Sequence, residues 1–362
     1  TSAGESWAIS AMACAISAWI LACSVSPSAG APFAAARRGT AAAFASGFTK
    51  TKGILERMQN EKKLLVLQDF SAIISRPSAD RVEILDTLRQ IYNGRYCNEW
   101  GSGKKVVWEG KFNFLSGCAP EIEAQSVAEL GERFIYYRTD SNSQEERACM
   151  QAKAFLAIGK EKEARDEIAE AVHGVLEKHN SVDFSSISIP ESIMEKTLML
   201  ANMATRLRSV VKRNPYRQEV IEYMPQQEGP ARMMKMAINL LKSLAVIRER
   251  STVNETDLSV IRKVCLDSIP SMRRNTLRNI LTKRKKVNFS GEFKIKDLLA
   301  GSKLTYETIR LQTENLTCLG VCHKAFKKNA TDDSIHENAV AHYTLDNMSY
   351  ELLGKSEILE EI

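Results

Sequence analysis

Apolar and polar positions fall into distinct textures along the chain, and each texture predicts an element. Lys63 to Phe70 (KLLVLQDF) is a short apolar run ending in an acid. A buried parallel strand reads this way when it delivers a carboxylate to its C-terminal edge. Ala79 to Tyr92 (ADRVEILDTLRQIY) predicts a helix with Val82, Leu85, Leu88 and Ile91 on one face. The stretch RYCNEWGSGKKVVWEGKFNFLSGCAP, from Arg95, predicts a hairpin with a Gly-Ser-Gly turn and then a second buried strand, Lys111 to Leu115. Gly131 to Arg138 (GERFIYYR) predicts a third strand, entered through Arg133.

Farther on, Met234, Ala237, Ile238, Leu241 and Leu244 recur at steps of three and four after Pro230, which marks the core face of a helix. Thr252-Val253-Asn254-Glu255 with Asp257 is an N-cap signature for the next one. Arg273 to Leu281, Ile295 to Leu299 and Thr305 to Leu316 then form a short helical series. The last two predict a helix-turn-helix whose second helix runs from Tyr306 to Leu316, with Thr305, Glu307, Arg310 and Thr313 facing outward. Gly320-Val321 opens a strand and Ala341 to Leu345 (AHYTL) returns, the pattern of a wing.

The first 46 residues are a different material, rich in Ala, Ser, Gly and Pro. Trp7 to Val25 is 19 uncharged residues, close to the roughly 20 that span a bilayer. Much of it is Ala and Ser, which insert weakly, and no basic residue precedes it. It is read as an aberrant segment of a cytoplasmic protein with no membrane partner; a membrane anchor is the third and weakest reading.

Composition narrows the class. At 362 residues the chain has room for two or three domains, and 44% apolar with 26% charged residues describes a globular protein. A net charge of +6 permits a nucleic-acid partner without requiring one. The local excess is sharper: MRRNTLRNILTKRKK, Met272 to Lys286, holds many Lys and Arg and no acid. The eight cysteines, at 14, 23, 97, 118, 149, 265, 318 and 322, lack the regular spacing of a disulfide framework and read as reduced thiols. Cys318, Cys322, His336 and His342 satisfy a permissive zinc-finger spacing. The two cysteines read more simply as small apolar core residues.

Thr1 to Ser6 (TSAGES) matches the second half of a phosphate-binding loop, with Glu5 where the lysine belongs. Gly4 and Ser6 are the remaining candidates for contact with nucleotide. Gly101 to Lys105 (GSGKK) also contains Gly-Lys, but no glycine stands five positions before Gly103, so it reads as a hairpin turn.

In this order of elements, residues from about 47 to 270 resemble the AAA+ P-loop ATPases, specifically the MCM-related, helicase-like branch found in phage and prophage replication genes. The resemblance implies an α/β fold, a partial AAA+ core with a parallel sheet, joined to an α-helical lid and a C-terminal winged-helix domain. It implies Asp69 as the acid that organises Mg²⁺ through water, and Arg95 to Trp108 as a hairpin with Lys104 and Lys105 toward nucleic acid. Arg133, within Glu132-Arg133-Phe134, stands as the arginine finger, and Arg232 as the second sensor in a lid spanning Glu228 to Pro270. ATP and Mg²⁺ are the implied cofactors, DNA the implied partner, and a homo-oligomeric ring the implied assembly. On the winged-helix side, Arg273, Arg274, Arg278 and Arg310 are the candidate DNA contacts.

The sequence departs from that pattern in four places. The loop lysine is replaced by Glu5, and Phe70 occupies the place of the second strand-end acid. The polar first sensor falls near Cys118 and Ala119, and the strand that opens the fold is missing from the reading. These imply impaired ATP hydrolysis. The domains expected are an N-terminal segment 1–46, a partial ATPase core 47–145, a helical lid region 146–270 and a winged helix 271–362. The alternative is a non-enzymatic winged-helix DNA-binding protein that keeps the ATPase-like region as a scaffold.

Overall fold

The structure is a computed structural model. It describes residues 33–36, 55, 64–67, 69–99, 105–110, 113–119, 122, 133–139, 144–156, 158–179, 181–214, 216–217, 219–286, 292–326 and 341–355. The protein is mixed α/β and mostly helical, with small parallel and antiparallel sheets. It divides into two units, Thr1–Arg133 with Arg138–Ser181, and Phe134–Tyr137 with Val182–Ile362.

In the N-terminal unit, β1 (Phe33–Ala36), β2 (Leu64–Leu67) and β5 (Asn113–Ser116) form a parallel sheet with β2 in the middle. Leu65, Val66 and Leu67 are all buried, as expected of a parallel strand. The first helical turn, α1 (Ser71–Ile74), leads into α2 (Ser78–Tyr92). The buried face of α2 is Ile84, Leu85, Leu88 and Ile91, whereas Val82 is exposed, so the predicted face is rotated toward Ile84. β3 (Arg95–Glu99) and β4 (Lys105–Glu109) make the predicted hairpin, with Tyr96 opposite Trp108 and both buried. Helices α3 (Gln144–Leu156) and α4 (Glu161–His179) complete the unit and leave Phe155, Leu156 and Ile158 exposed.

Two expectations for the first part of the chain change. A strand, β1, forms inside the Ala-rich segment set aside as aberrant and pairs in parallel with β2. The third strand predicted over 131–138 does not form: Phe134 to Thr139 take no regular structure and pair with no strand among the described residues. Side chains take its backbone groups instead. Arg208 donates to Phe134 O at 3.0 Å, and Tyr136 N–H donates to Ser268 Oγ at 3.2 Å.

The C-terminal unit is built on α5 (Glu191–Arg208), which packs against α6 (Pro230–Ile247), α7 (Glu255–Asp267) and α10 (Asn347–Lys355). Leu200, Ala201, Met203, Ala204 and Leu207 of α5 are fully buried. Each such leucine contributes about 1.5–3 kcal/mol of transfer free energy. On α6 the buried positions are Met233, Ala237, Leu241, Leu244, Ala245 and Val246, with the predicted Met234 and Ile238 half-buried beside them. The predicted cap of α7 is present: the Asn254 side chain accepts from Thr256 N–H at 3.0 Å, and Asp257 accepts from Asn254 N–H at 3.0 Å.

After α7 come α8 (Ser271–Lys286), β6 (Glu292–Phe293), a 3₁₀ turn (Ile295–Leu298), α9 (Tyr306–Cys318), β7 (Cys322–Phe326) and β8 (Ala341–Leu345). The strands form an antiparallel sheet in the order β6-β8-β7. Leu277, Ile309, Leu316, Val321 and Tyr343 from this region join the same apolar core as α5 to α7.

Candidate functional site

Asp69 lies two residues past the end of β2, the central parallel strand, and is exposed. Ligands in open parallel sheets bind beyond the carboxyl ends of the strands, so this is the place where a strand-end acid can meet phosphate or a cation. The local geometry is fixed by short polar contacts. Asp69 Oδ1 accepts from Ser71 N–H at 2.8 Å, and Phe70 N–H donates to Gly117 O at 2.8 Å, extending the contact with β5. Ser71 Oγ accepts from Ala119 N–H at 3.1 Å and lies 3.6 Å from Cys118 Sγ. Ser71, which ties the two strand ends together, has no sequence signal beyond following the acid.

Phe70 is buried and meets Phe114 edge-to-face with ring centroids 6.0 Å apart. The position of a second acid is thus committed to the core. Among the described residues no group of three or more His, Cys, Asp or Glu is arranged to hold a metal ion. A divalent cation at Asp69 would therefore take most of its ligands from phosphate and water. Gly4, Glu5 and Ser6 lie outside the described residues, as does Lys104.

Arg133 was expected at the start of a strand and solvent-exposed. It is half-buried, its guanidinium 6.0 Å from the centre of the Tyr92 ring. Lys105 is exposed, but it faces Glu99 at 3.9 Å, and Arg95 at the other end of the hairpin faces Glu109 at 3.5 Å. The antiparallel register puts each cation opposite an acid, so the stem is charge-balanced. Arg232 lies half-buried in the first turn of α6.

In the C-terminal unit the basic run is divided by its surroundings. Arg273, expected to contact nucleic acid, is buried. Its guanidinium donates to Leu207 O at 2.5 Å and Ser209 O at 2.8 Å, satisfying carbonyls at the end of α5. Burial pushes its pKa down to about 10, with the Arg213 charge adding to the effect. Arg274 is bound to Asp267 at 3.0 Å, while Arg278 is exposed. The run closes on Lys283-Arg284-Lys285-Lys286 at the end of α8, where Lys283 is half-buried.

On α9, Thr305 and Glu307 are exposed, as expected, but Thr313 is fully buried and donates to Ile309 O at 2.8 Å. Its position shares the inward face with Ile309 and Leu316, which decides its direction. Arg310 is held by Glu307 at 2.8 Å and Glu314 at 3.1 Å. Exposed cations that sequence reasoning passed over include Lys296 and Lys303, in the connection between α8 and α9, and Lys324 on β7. Their signal was weak because they lie outside the dense basic run of 272–286.

Cys322 is buried in the core and its thiol is pushed up to about 12 by burial, with the Asp346 charge adding to it. His342 Nδ1 lies 3.0 Å from Glu292. His336 lies outside the described residues. Among the described residues no helix is long and apolar enough to cross a membrane, and Trp7 to Val25 lies outside them.

Comparison of the chain with protein-family models and with curated proteins found no match. The partial AAA+ core expected from the sequence is not evident among the described residues: the parallel sheet holds three strands.

Proposed function

We propose that the chain is an AAA+ ATPase-like protein of DNA replication or processing, helicase-like in type, that hydrolyses ATP poorly or not at all. The observation that carries this reading is the exposed Asp69 carboxylate at the carboxyl end of the central parallel strand, fixed beside the end of β5. ATP with Mg²⁺ is the ligand this edge would take, and a ring of several copies is the assembly in which such an edge works. The order helix, strand, turn, helix and β-hairpin in the C-terminal unit supports a winged helix, with α9 as the groove-facing helix and β7–β8 as the wing. Arg278, Lys296, Lys303 and, on the wing strand, Lys324 are exposed cations of this region and would contact the DNA backbone.

A labelled ATP analogue tests the nucleotide reading. The expected outcome is weak, Mg²⁺-dependent binding that falls in Asp69→Asn, with turnover at background because no lysine holds the β- and γ-phosphates. Robust turnover lost in Asp69→Asn would show that the chain is a working ATPase. Absence of binding in both proteins would favour a second reading, a non-enzymatic winged-helix DNA-binding protein with the parallel sheet as scaffold. One observation favours that second reading. Arg133 is half-buried against Tyr92 of its own chain, whereas a finger acting on a neighbouring copy must project from the rim.

A further inference from the structure

We propose that the loop from Lys212 to Glu222 is a stacking site for single-stranded nucleic acid, at which Tyr216 offers its ring to a base and Arg217 its guanidinium to a phosphate. The inference rests on the reading that this protein handles DNA. The loop is folded back on itself. Arg213 and Ile221 form an antiparallel bridge, and Glu222 N–H donates to Lys212 O at 3.0 Å. Asn214 N–H donates to Val220 O at 2.9 Å, and Val220 N–H to Arg217 O at 2.8 Å. At the tip, Asn214 Oδ1 accepts from both Tyr216 N–H at 2.9 Å and Arg217 N–H at 3.0 Å. That side-chain turn fixes the backbone on which both groups are displayed.

The base of the loop is anchored as well. Arg213 points into α9, donating to Asn315 Oδ1 at 2.9 Å and Leu311 O at 3.2 Å, and pairing with Glu314 at 3.3 Å. Lys212 pairs with Glu222 at 3.2 Å. On this frame Tyr216 is 94% exposed. Arg217 is exposed too, and among the described residues its guanidinium has no ion pair, although Glu219 is two residues away.

A ring so far out of the core does nothing for packing, and the Asn214 bonds to Tyr216 N–H and Arg217 N–H lessen the conformational entropy lost when a ligand arrives. Stacking on an exposed aromatic beside a cation is how single strands are held without sequence preference. The guanidinium geometry suits a phosphate oxygen pair. A protein partner fits less well, because an anchor ring at a protein interface sits in a well-packed pocket shielded by surrounding contacts. Here the ring and the cation stand at the tip, and Val220, Tyr223 and Met224 are also exposed on the chain that leaves it. Charge favours the same choice: residues 182–362 hold 28 of the 50 Lys and Arg but 22 of the 44 acids, so the whole net charge of +6 lies in that half.

The test is fluorescence anisotropy of the full chain with a labelled oligo-dT of about 15 nucleotides, a length that covers one single-strand site, and with a duplex as control. Tyr216→Ala is expected to weaken oligo-dT binding by about 5- to 100-fold, the range of one lost stacking contact. Tyr216→Phe should stay near wild type, because it keeps the ring, and duplex binding should change little in either. Arg217→Gln should weaken oligo-dT binding and flatten its salt dependence. Unchanged oligo-dT binding in Tyr216→Ala would overturn the inference and leave the ring to a protein partner. A lowered melting temperature in that variant would overturn it too, since the ring would then be structural. Duplex binding without oligo-dT binding in the wild type sinks this site alone, whereas binding of neither sinks the DNA-handling reading with it.

Discussion

The C-terminal unit carries one continuous apolar core from Ile187 to Leu353, into which α5 to α10 and the antiparallel sheet all contribute. The N-terminal unit buries side chains around β2, α2 and the β3–β4 hairpin, and leaves Phe155, Leu156 and Ile158 67–77% exposed at and just beyond the end of α3. Their charges differ in the same way. In the C-terminal unit two ionic clusters reach into the core: Arg208 with Glu228, at 5% and 1% exposure, and the buried Asp257 carboxylate with the half-buried Arg248 and Arg250. In the N-terminal hairpin the pairs Arg95–Glu109 and Lys105–Glu99 are 57–72% exposed. A deep core can hold a charge only where every polar neighbour is satisfied, so the C-terminal unit has more to lose from any single break.

The largest test of that contrast is Glu228→Ala, which strands the Arg208 guanidinium in the core. It should destabilise the C-terminal unit by about 3–5 kcal/mol. Urea unfolding followed by far-UV circular dichroism reads this effect. Tryptophan fluorescence reads the other unit, because Trp7, Trp19, Trp100 and Trp108 all precede residue 134. A loss below about 1 kcal/mol, the worth of an exposed pair, would break the comparison.

Apolar truncations should divide the same way. Leu200→Ala, at 0% exposure, should cost about 2–5 kcal/mol, whereas Phe155→Ala should stay within about 0.5 kcal/mol. Equal losses would mean that α3 is covered in solution.

The buried thiols sharpen the contrast with pH. Burial pushes Cys265 and Cys322 up to about 12 from an ordinary value near 9. Each folded-state pKa is raised, so the unfolded chain releases these protons first. The associated stability is present below about pH 9 and is lost as pH rises toward 12, at on the order of 1 kcal/mol per pH unit for each thiol. Alkylation of the native protein near pH 8 should modify the exposed Cys97, Cys118 and Cys149 and spare Cys265 and Cys322. Rapid labelling of Cys265 would contradict a closed core.

The smallest effect belongs to the hairpin. Glu99→Gln should change stability by at most about 1 kcal/mol, and less in high salt, because its partner Lys105 is exposed. A larger change would mean that the exposed stem holds more of the unit together than its surface geometry suggests.

Much of the candidate edge was legible before any coordinates. KLLVLQDF is a local pattern, and it led correctly to a central parallel strand with Asp69 beyond its end. The cap at Asn254 and the core face of α6 were legible for the same reason, since their partners lie within one or two turns. Arg133 was not: its neighbour Tyr92 is 41 residues away, and the segment after it is claimed by Arg208 and Ser268. The basic run was half legible, because composition shows where cations are dense but not which of them the fold consumes.

By itself the sequence determined the elements whose signal is periodic and short-ranged: the strand before Asp69, the helix after Pro230, the capping box and the helix-turn-hairpin order of the C-terminal unit. Hydrophobic period and cap chemistry act within a few residues, so the chain cannot form those elements otherwise without burying polar groups or exposing apolar ones. Only the tertiary structure decided that β1 comes from the Ala-rich segment, that 134–139 pairs with side chains instead of a strand, and that Arg273 turns inward. Those outcomes depend on acceptors far away in sequence, such as Leu207 O, 66 residues before Arg273. A guanidinium goes where unsatisfied carbonyls are waiting, and their position is a property of packed helices, not of the residues beside it.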